Sequence, residues 1–296
     1  MARPTGLSLS GFVRNTKAIR RAAHSLVLCA CLIAGAAQAA APERVVSINL
    51  CTDQLSMLLA DKGQLHSVSH IALDPRVSAM VDTARDYKVN HGLAEEIYLM
   101  QPDLVVAGAW SDRATVDLLR QLDIPVALFK PANSLDDVRE RIRQMGTVLH
   151  RQDTAEAVIE GFDARLATLG PGGTPNPSAV VYYANGYTAG DDTLAGEILR
   201  VAGFDNPVGT GGYAMGRKLS LEILAMTDPD IVITARPYPG ASRSEAILEH
   251  PVVKALRHDR ANATMADHDW VCGTPYVLRA IEQLAAARKD ITGQAE

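Results

Sequence analysis

The chain has 296 residues, 47% of them hydrophobic and 21% charged, which excludes a disordered or low-complexity protein and leaves room for two lobes with real cores. Its net charge of -5 hides an asymmetry: residues 1–39 carry five basic side chains (Arg3, Arg14, Lys17, Arg20, Arg21) and no acid. Beyond residue 39, 24 basic residues face 34 acidic ones, a net of -10. A body that acidic does not suit nucleic acid, whose binding needs basic patches that displace counterions.

Arg20 and Arg21 precede the apolar run Leu26 to Ala37, and Ala37-Gln38-Ala39 closes it. A basic start, a dozen apolar residues and small residues at -3 and -1 predict a secretory signal cleaved after Ala39. The run is shorter than the roughly 20 residues that span a bilayer. Leu28-Cys29-Ala30-Cys31 loosely resembles a lipoprotein box, and Arg20-Arg21 hints at twin-arginine export. The expectation is an exported chain in the periplasm. Cys29 and Cys31 leave with the signal; Cys51 and Cys272 remain, an even count in an oxidising compartment. Three fates are open to them: a disulfide, two free thiols, or a role at a ligand.

The run Arg44 to Leu50 predicts a first strand, and Cys51 to Ala60 a helix capped near Thr52 or Asp53. Strands are expected at His66–Leu73, Asp103–Ala107 and Ile124–Phe129, alternating with helices, the pattern of βα units around a mostly parallel sheet. From Ser134 to Leu169 apolar residues recur at helical spacing, with a kink near His150–Asp153. The Gly/Pro-rich segment 170–177 then breaks the chain. Strands resume at Ala179–Tyr183 and Asp230–Thr234, with helices at Thr193–Ala202 and from Ser220.

The two halves repeat. Glu95 to Val106 aligns without a gap on Glu222 to Ile233, so that Glu95 meets Glu222, Leu99 meets Met226 and Pro102-Asp103 meets Pro229-Asp230. In each, a helix ends before Pro-Asp and the chain turns into a buried strand. Helix, Pro-Asp and strand is a common connector; the equal interval, with a strand opening each half, argues for two related lobes.

This order of motifs resembles the metal-chelate substrate-binding proteins of ABC importers, whose cobalamin-, ferric-siderophore- and haem-binding members bridge two lobes with one helix. The carriers are Arg44-Val45-Val46-Ser47, Ala94-Glu95-Glu96-Ile97 through Pro102-Asp103-Leu104-Val105, Ser134 to Val138, Thr193 to Leu199, Ser220-Leu221-Glu222, and Trp270 to Gly273 with the helix Tyr276 to Ala287. The resemblance implies an α/β fold of two Rossmann-like lobes (40–133 and 170–296), a long rigid helix (134–169) joining them, and a ligand cleft between. It implies capture of a chelate, ferric siderophore first, cobalamin next and haem third. Delivery is to a dimeric permease with its ATPase subunits. It also places an acid on each lobe, Glu95 and Glu222, on arginines of that permease, with Glu96 as a neighbour able to replace Glu95. A monomer with no cofactor of its own is expected.

A cleft between such lobes lies at the carboxyl ends of the strands. The segments expected there hold Trp110, Arg113, Tyr187, Arg236, Tyr238 and Trp270, with Tyr183 and Tyr213 nearby; six of the 13 aromatic residues beyond residue 39 thus lie in or beside them. Aromatic faces suit a large flat chelate, and arginines suit its anionic groups. His66, His70, His91 and His268 show no paired motif, so a bare metal ion is not expected, although a lone His or Tyr can ligate chelated iron. Enzyme signatures are missing: there is no Gly-x-Ser-x-Gly, no P-loop, and Gly209-Thr210-Gly211-Gly212 follows no strand. An exported enzyme and a sensory binding module are the rival classes.

Overall fold

The first strand, β1 (Val45–Ser47), is wholly buried, and its β-branched pair suits a strand covered on both faces. The structure, a computed structural model, describes residues 40–169, 176–236, 240, 242–258 and 261–293. The expected signal segment 1–39, most of the breaker (170–175) and Tyr238 lie outside them. Helix α1 (Leu50–Leu59) is capped by Asn49, whose side chain accepts the Cys51 N–H at 3.1 Å, rather than by Thr52 or Asp53.

The chain continues through β2 (Leu65–Ser69), α2 (Val81–Ala84), β3 (Lys88–Asn90), α3 (Ala94–Leu99), β4 (Leu104–Gly108), α4 (Arg113–Gln121) and β5 (Val126–Phe129). These strands form a parallel sheet in the order β3-β2-β1-β4-β5. The order reverses between β1 and β4, which opens a crevice at their carboxyl ends. His70–Leu73, expected to extend β2, is a 3-10 turn.

A second parallel sheet, in the order β10-β9-β6, holds β6 (Ala179–Val181), β9 (Ile231–Ala235) and β10 (Ala261–Met265). Its helices are α7 (Leu194–Val201), α8 (Leu221–Thr227), α9 (Pro251–His258), α10 (Asp267–Trp270) and α11 (Val277–Gly293). A short antiparallel ribbon pairs β7 (Tyr187–Thr188) with β8 (Arg217–Lys218).

The expected single rod over 134–169 is instead two helices, α5 (Leu135–Leu149) and α6 (Gln152–Ala167), folded back on each other. His150 ends α5 in the left-handed region, φ 56°, and reverses the chain. A Cβ on Gly146 would lie 2.5 Å from the Ala155 Cβ, so the corner closes only over glycine. Arg139 near the start of α5 donates to Asp163 near the end of α6 at 2.8 Å, and Arg143 donates to Glu156 at 2.9 Å. α5 packs on α1, and α6 on α11. One core therefore runs from Val45 and Leu55 through Met145 and Phe162 to Ile233 and Ile281.

The internal repeat extends to the backbone. Gln101 and Asp228, the matched residues before each proline, are both left-handed, with φ of 50° and 49°. The matched aspartates also act alike. Asp103 accepts the Arg44 N–H at 3.0 Å beside β1, and Asp230 accepts the Ser178 N–H at 2.7 Å beside β6.

Candidate functional site

The two lobes meet where the loop before α11 touches the start of α1. Cys51 and Cys272 are joined there, their Cα atoms 4.9 Å apart, a separation ordinary for a disulfide. Next to it, a Cβ on Gly273 would lie 2.1 Å from that of Ala132, so this loop seats against the first lobe only because residue 273 has none. The Glu197 carboxylate of α7 accepts the Leu135 N–H at 2.6 Å, closing the start of α5 from the second lobe.

Two cavities flank the loop. One, about 230 Å³, opens at the switch point between β1 and β4, lined by Asn49, Cys51, Gly108, Trp110, Phe129, Val271 and Gly273 among others. Lys130 and Arg141 line it too, with no carboxylate among the lining residues, so the chamber is cationic and mostly apolar. Trp110 stands at its rim, 87% exposed. The other, about 370 Å³, lies between Pro75–Thr83 of the first lobe and His268, Tyr276 and Arg279 of the second. The Arg279 guanidinium sits 4.3 Å from the Tyr276 ring centroid.

The second lobe also holds a stacked pair, packed against the core. The Tyr183 and Trp270 rings are 5.3 Å apart and 8° from parallel. The Tyr183 hydroxyl and Trp270 Nε1 are buried with no hydrogen-bond partner among the described residues. Burial, and then Asp267, hold the Tyr183 phenol well above its ordinary pKa, so it stays a neutral donor. The other expected cleft residues are not gathered with this pair. Tyr187 and Tyr213 belong to the β7–β8 ribbon region, near Lys218 (5.9 Å) and Arg217 (5.7 Å). Arg113 opens α4 with an exposed side chain, 3.8 Å from Asp117. Arg236 is exposed just past β9, and Tyr238 falls outside the described residues.

Histidine placement was the feature sequence reading missed. His70 and His91 each directly follow the last residue of an adjacent strand, since Ser69 is in register with Asn90. Their rings stack at 5.2 Å. Glu96 turns back to them, accepting the His91 N–H at 2.7 Å, which leaves Glu95 as the outward carboxylate of α3. No group of three or more potential metal ligands occurs among the described residues.

The model of the periplasmic binding protein family matches residues 45–262, from β1 into β10. The chain belongs to the periplasmic binding protein family. A cobalamin-binding protein of Halobacterium salinarum is 29% identical over 231 residues, 75% of this chain. The chain spans 62% of that relative's length. Among solved structures, the periplasmic heme-binding protein RhuT of Roseiflexus sp. RS-1 is 21% identical, with a TM-score of 0.69 over 84% of this chain and 98% of that one. The periplasmic vitamin B12 binding protein BtuF of Vibrio cholerae is 16% identical, with a TM-score of 0.59 over 85% and 98%. At those identities the likeness is one of fold: the two-lobed α/β architecture. No helix of this periplasmic binding protein is long and apolar enough, among the described residues, to cross a membrane.

Proposed function

We propose that this periplasmic binding protein captures a metal chelate between its lobes and delivers it to the permease of an ABC importer, with no catalysis of its own. Residues 1–39 serve as a signal that sends the chain to the periplasm; 40–133 and 170–296 are the lobes, and 134–169 the link. The observation that carries the cargo assignment is the similarity, spread over both lobes, to a cobalamin-binding protein. A corrinoid is therefore the first cargo, ahead of the ferric siderophore that the resemblance put first and of haem.

The site chemistry supports a broad, partly apolar ligand. The cationic, mostly apolar chamber with Trp110 at its rim suits the anionic side groups of such a ligand, and the Tyr183–Trp270 stack holds two buried donors without a partner among the described residues. Glu95 and Glu222 are the docking carboxylates. Glu222 is held below the usual carboxylate range by the backbone N–H at its helix start and by Ser220, so it is charged at neutral pH.

The test is titration of the purified protein with cyanocobalamin, haemin and ferric siderophores, followed by tryptophan fluorescence and calorimetry. Tight one-to-one binding of cyanocobalamin is expected. Tight binding of a siderophore alone would reassign the cargo. Binding of none of them would withdraw the chelate reading.

A further inference from the structure

Among large hydrophobic residues of the described chain, the three most exposed are Trp110, Met226 (84%) and Leu99 (79%). Trp110 belongs to the cleft. The other two are matched by the internal repeat, residue for residue, at the same interval that pairs Glu95 with Glu222. The short helices that carry them are matched in burial as well. Ile97 and Leu224, one of each pair, are both fully buried, while Glu95, Leu99, Glu222 and Met226 all face out. Each helix then ends in a left-handed residue before proline. The exposure is thus part of the repeated design rather than an accident of one helix end.

Glu95 and Leu99 stand four apart on α3, as do Glu222 and Met226 on α8, and residues at that spacing lie on one helix face. Helical side chains lean toward the N-terminus, so Leu99 and Met226 each cover the turn that bears the carboxylate. Every lobe therefore presents one compact knob, half acidic and half apolar. A complementary surface places a cation beside an apolar socket, and it does so twice.

We propose that Leu99 and Met226 are paired apolar anchors by which the two lobes seat on a two-fold-symmetric protein, the permease dimer, each anchor entering an equivalent socket beside the site of its glutamate. This rests on the docking reading of Glu95 and Glu222. An apolar anchor surrounded by charge supplies much of the affinity of an interface, whereas the exposed charges supply steering and register.

The experiment is site-specific photo-crosslinking in cells of the source organism, which does not depend on knowing the cargo. A photo-reactive phenylalanine analogue replaces Leu99, Met226, Glu95, Glu222 or, as a control, the exposed Leu122, and adducts are identified by mass spectrometry. Positions 99 and 226 should both capture the same permease polypeptide, and position 122 should not. Leu99→Ser with Met226→Ser should cut uptake of the cargo about tenfold, with each single change contributing similarly and cargo affinity unchanged. Capture from 95 and 222 but not from 99 and 226 would overturn the anchors and leave the docking reading standing. Capture of the permease from none of the four would overturn both.

Discussion

Asp53 shows how much one buried side chain can carry. It is fully buried on α1, where it accepts the Ser69 N–H at 3.1 Å and the Ser69 hydroxyl. Burial raises its pKa to about 7, although bonds from Ser47 and Ser69 pull the other way. A carboxyl raised in the folded state binds its proton more tightly there than when unfolded. Its contribution is therefore full below about pH 4 and is lost as pH rises through about 7. Thermal unfolding between pH 4 and 8 should show stability falling by a few kcal/mol across that window, and Asp53→Asn should flatten the slope. An unchanged slope in the variant would place the proton elsewhere. A second prediction concerns the stacked pair. Trp270→Ala should weaken chelate binding by about 2 kcal/mol, some thirtyfold, in calorimetric titration. Tyr183→Phe should fold normally, because its hydroxyl has no partner to lose among the described residues, and should weaken chelate binding in the same titration. The types of the expected cleft residues were legible in the sequence; their placement was not. Tyr187 and Tyr213 follow the ribbon, and nothing in residue type distinguishes them from Tyr183.

Among the elements, the strands that read clearly were those with consecutive β-branched or aliphatic residues, as at β1, β4 and β9. β3 escaped because Lys-Val-Asn has no apolar run and only Asn90 is buried. The link between the lobes misled for a different reason. Helical periodicity reports which faces are apolar, not which way the axis points. One left-handed residue, His150, reverses the chain while α6 resumes the same period, so a hairpin and a rod share one pattern. Glycine at 146 was the available hint, since a helix interior tolerates it at a cost unless something packs against it. Gly146→Val should therefore pry α5 from α6 and destabilise the protein by about 1–3 kcal/mol, measured by urea unfolding. The same change at Gly161, whose added Cβ would meet nothing, should cost no more than helix propensity dictates. Equal losses at the two positions would refute the close corner.

For the molecule as a whole, the bond between Cys51 and Cys272 and the seat of Gly273 on Ala132 pin the lobes at one junction. Closure around cargo is then a small rotation, and scattering profiles with and without ligand should nearly superimpose. A large compaction on binding would contradict the pinned junction. The bond spans 221 residues, so the chain-entropy model assigns it about 5.4 kcal/mol. Cys51→Ser with Cys272→Ser, or a reductant, should lower the melting temperature, and intact mass after alkylation without reductant should show no free thiol in the native protein. The two-lobed plan itself was legible before any coordinates, because the repeat recurs without a gap, down to the proline turn and the aspartate that follows it. The same long span has a consequence in time. Cys51 enters the oxidising compartment 221 residues ahead of its partner, and with Cys29 and Cys31 removed along with the proposed leader, residues 40–296 hold no other thiol with which to mispair. In that compartment Cys51 waits for a partner 221 residues further along, and until that residue arrives its one available disulfide error is to join another molecule.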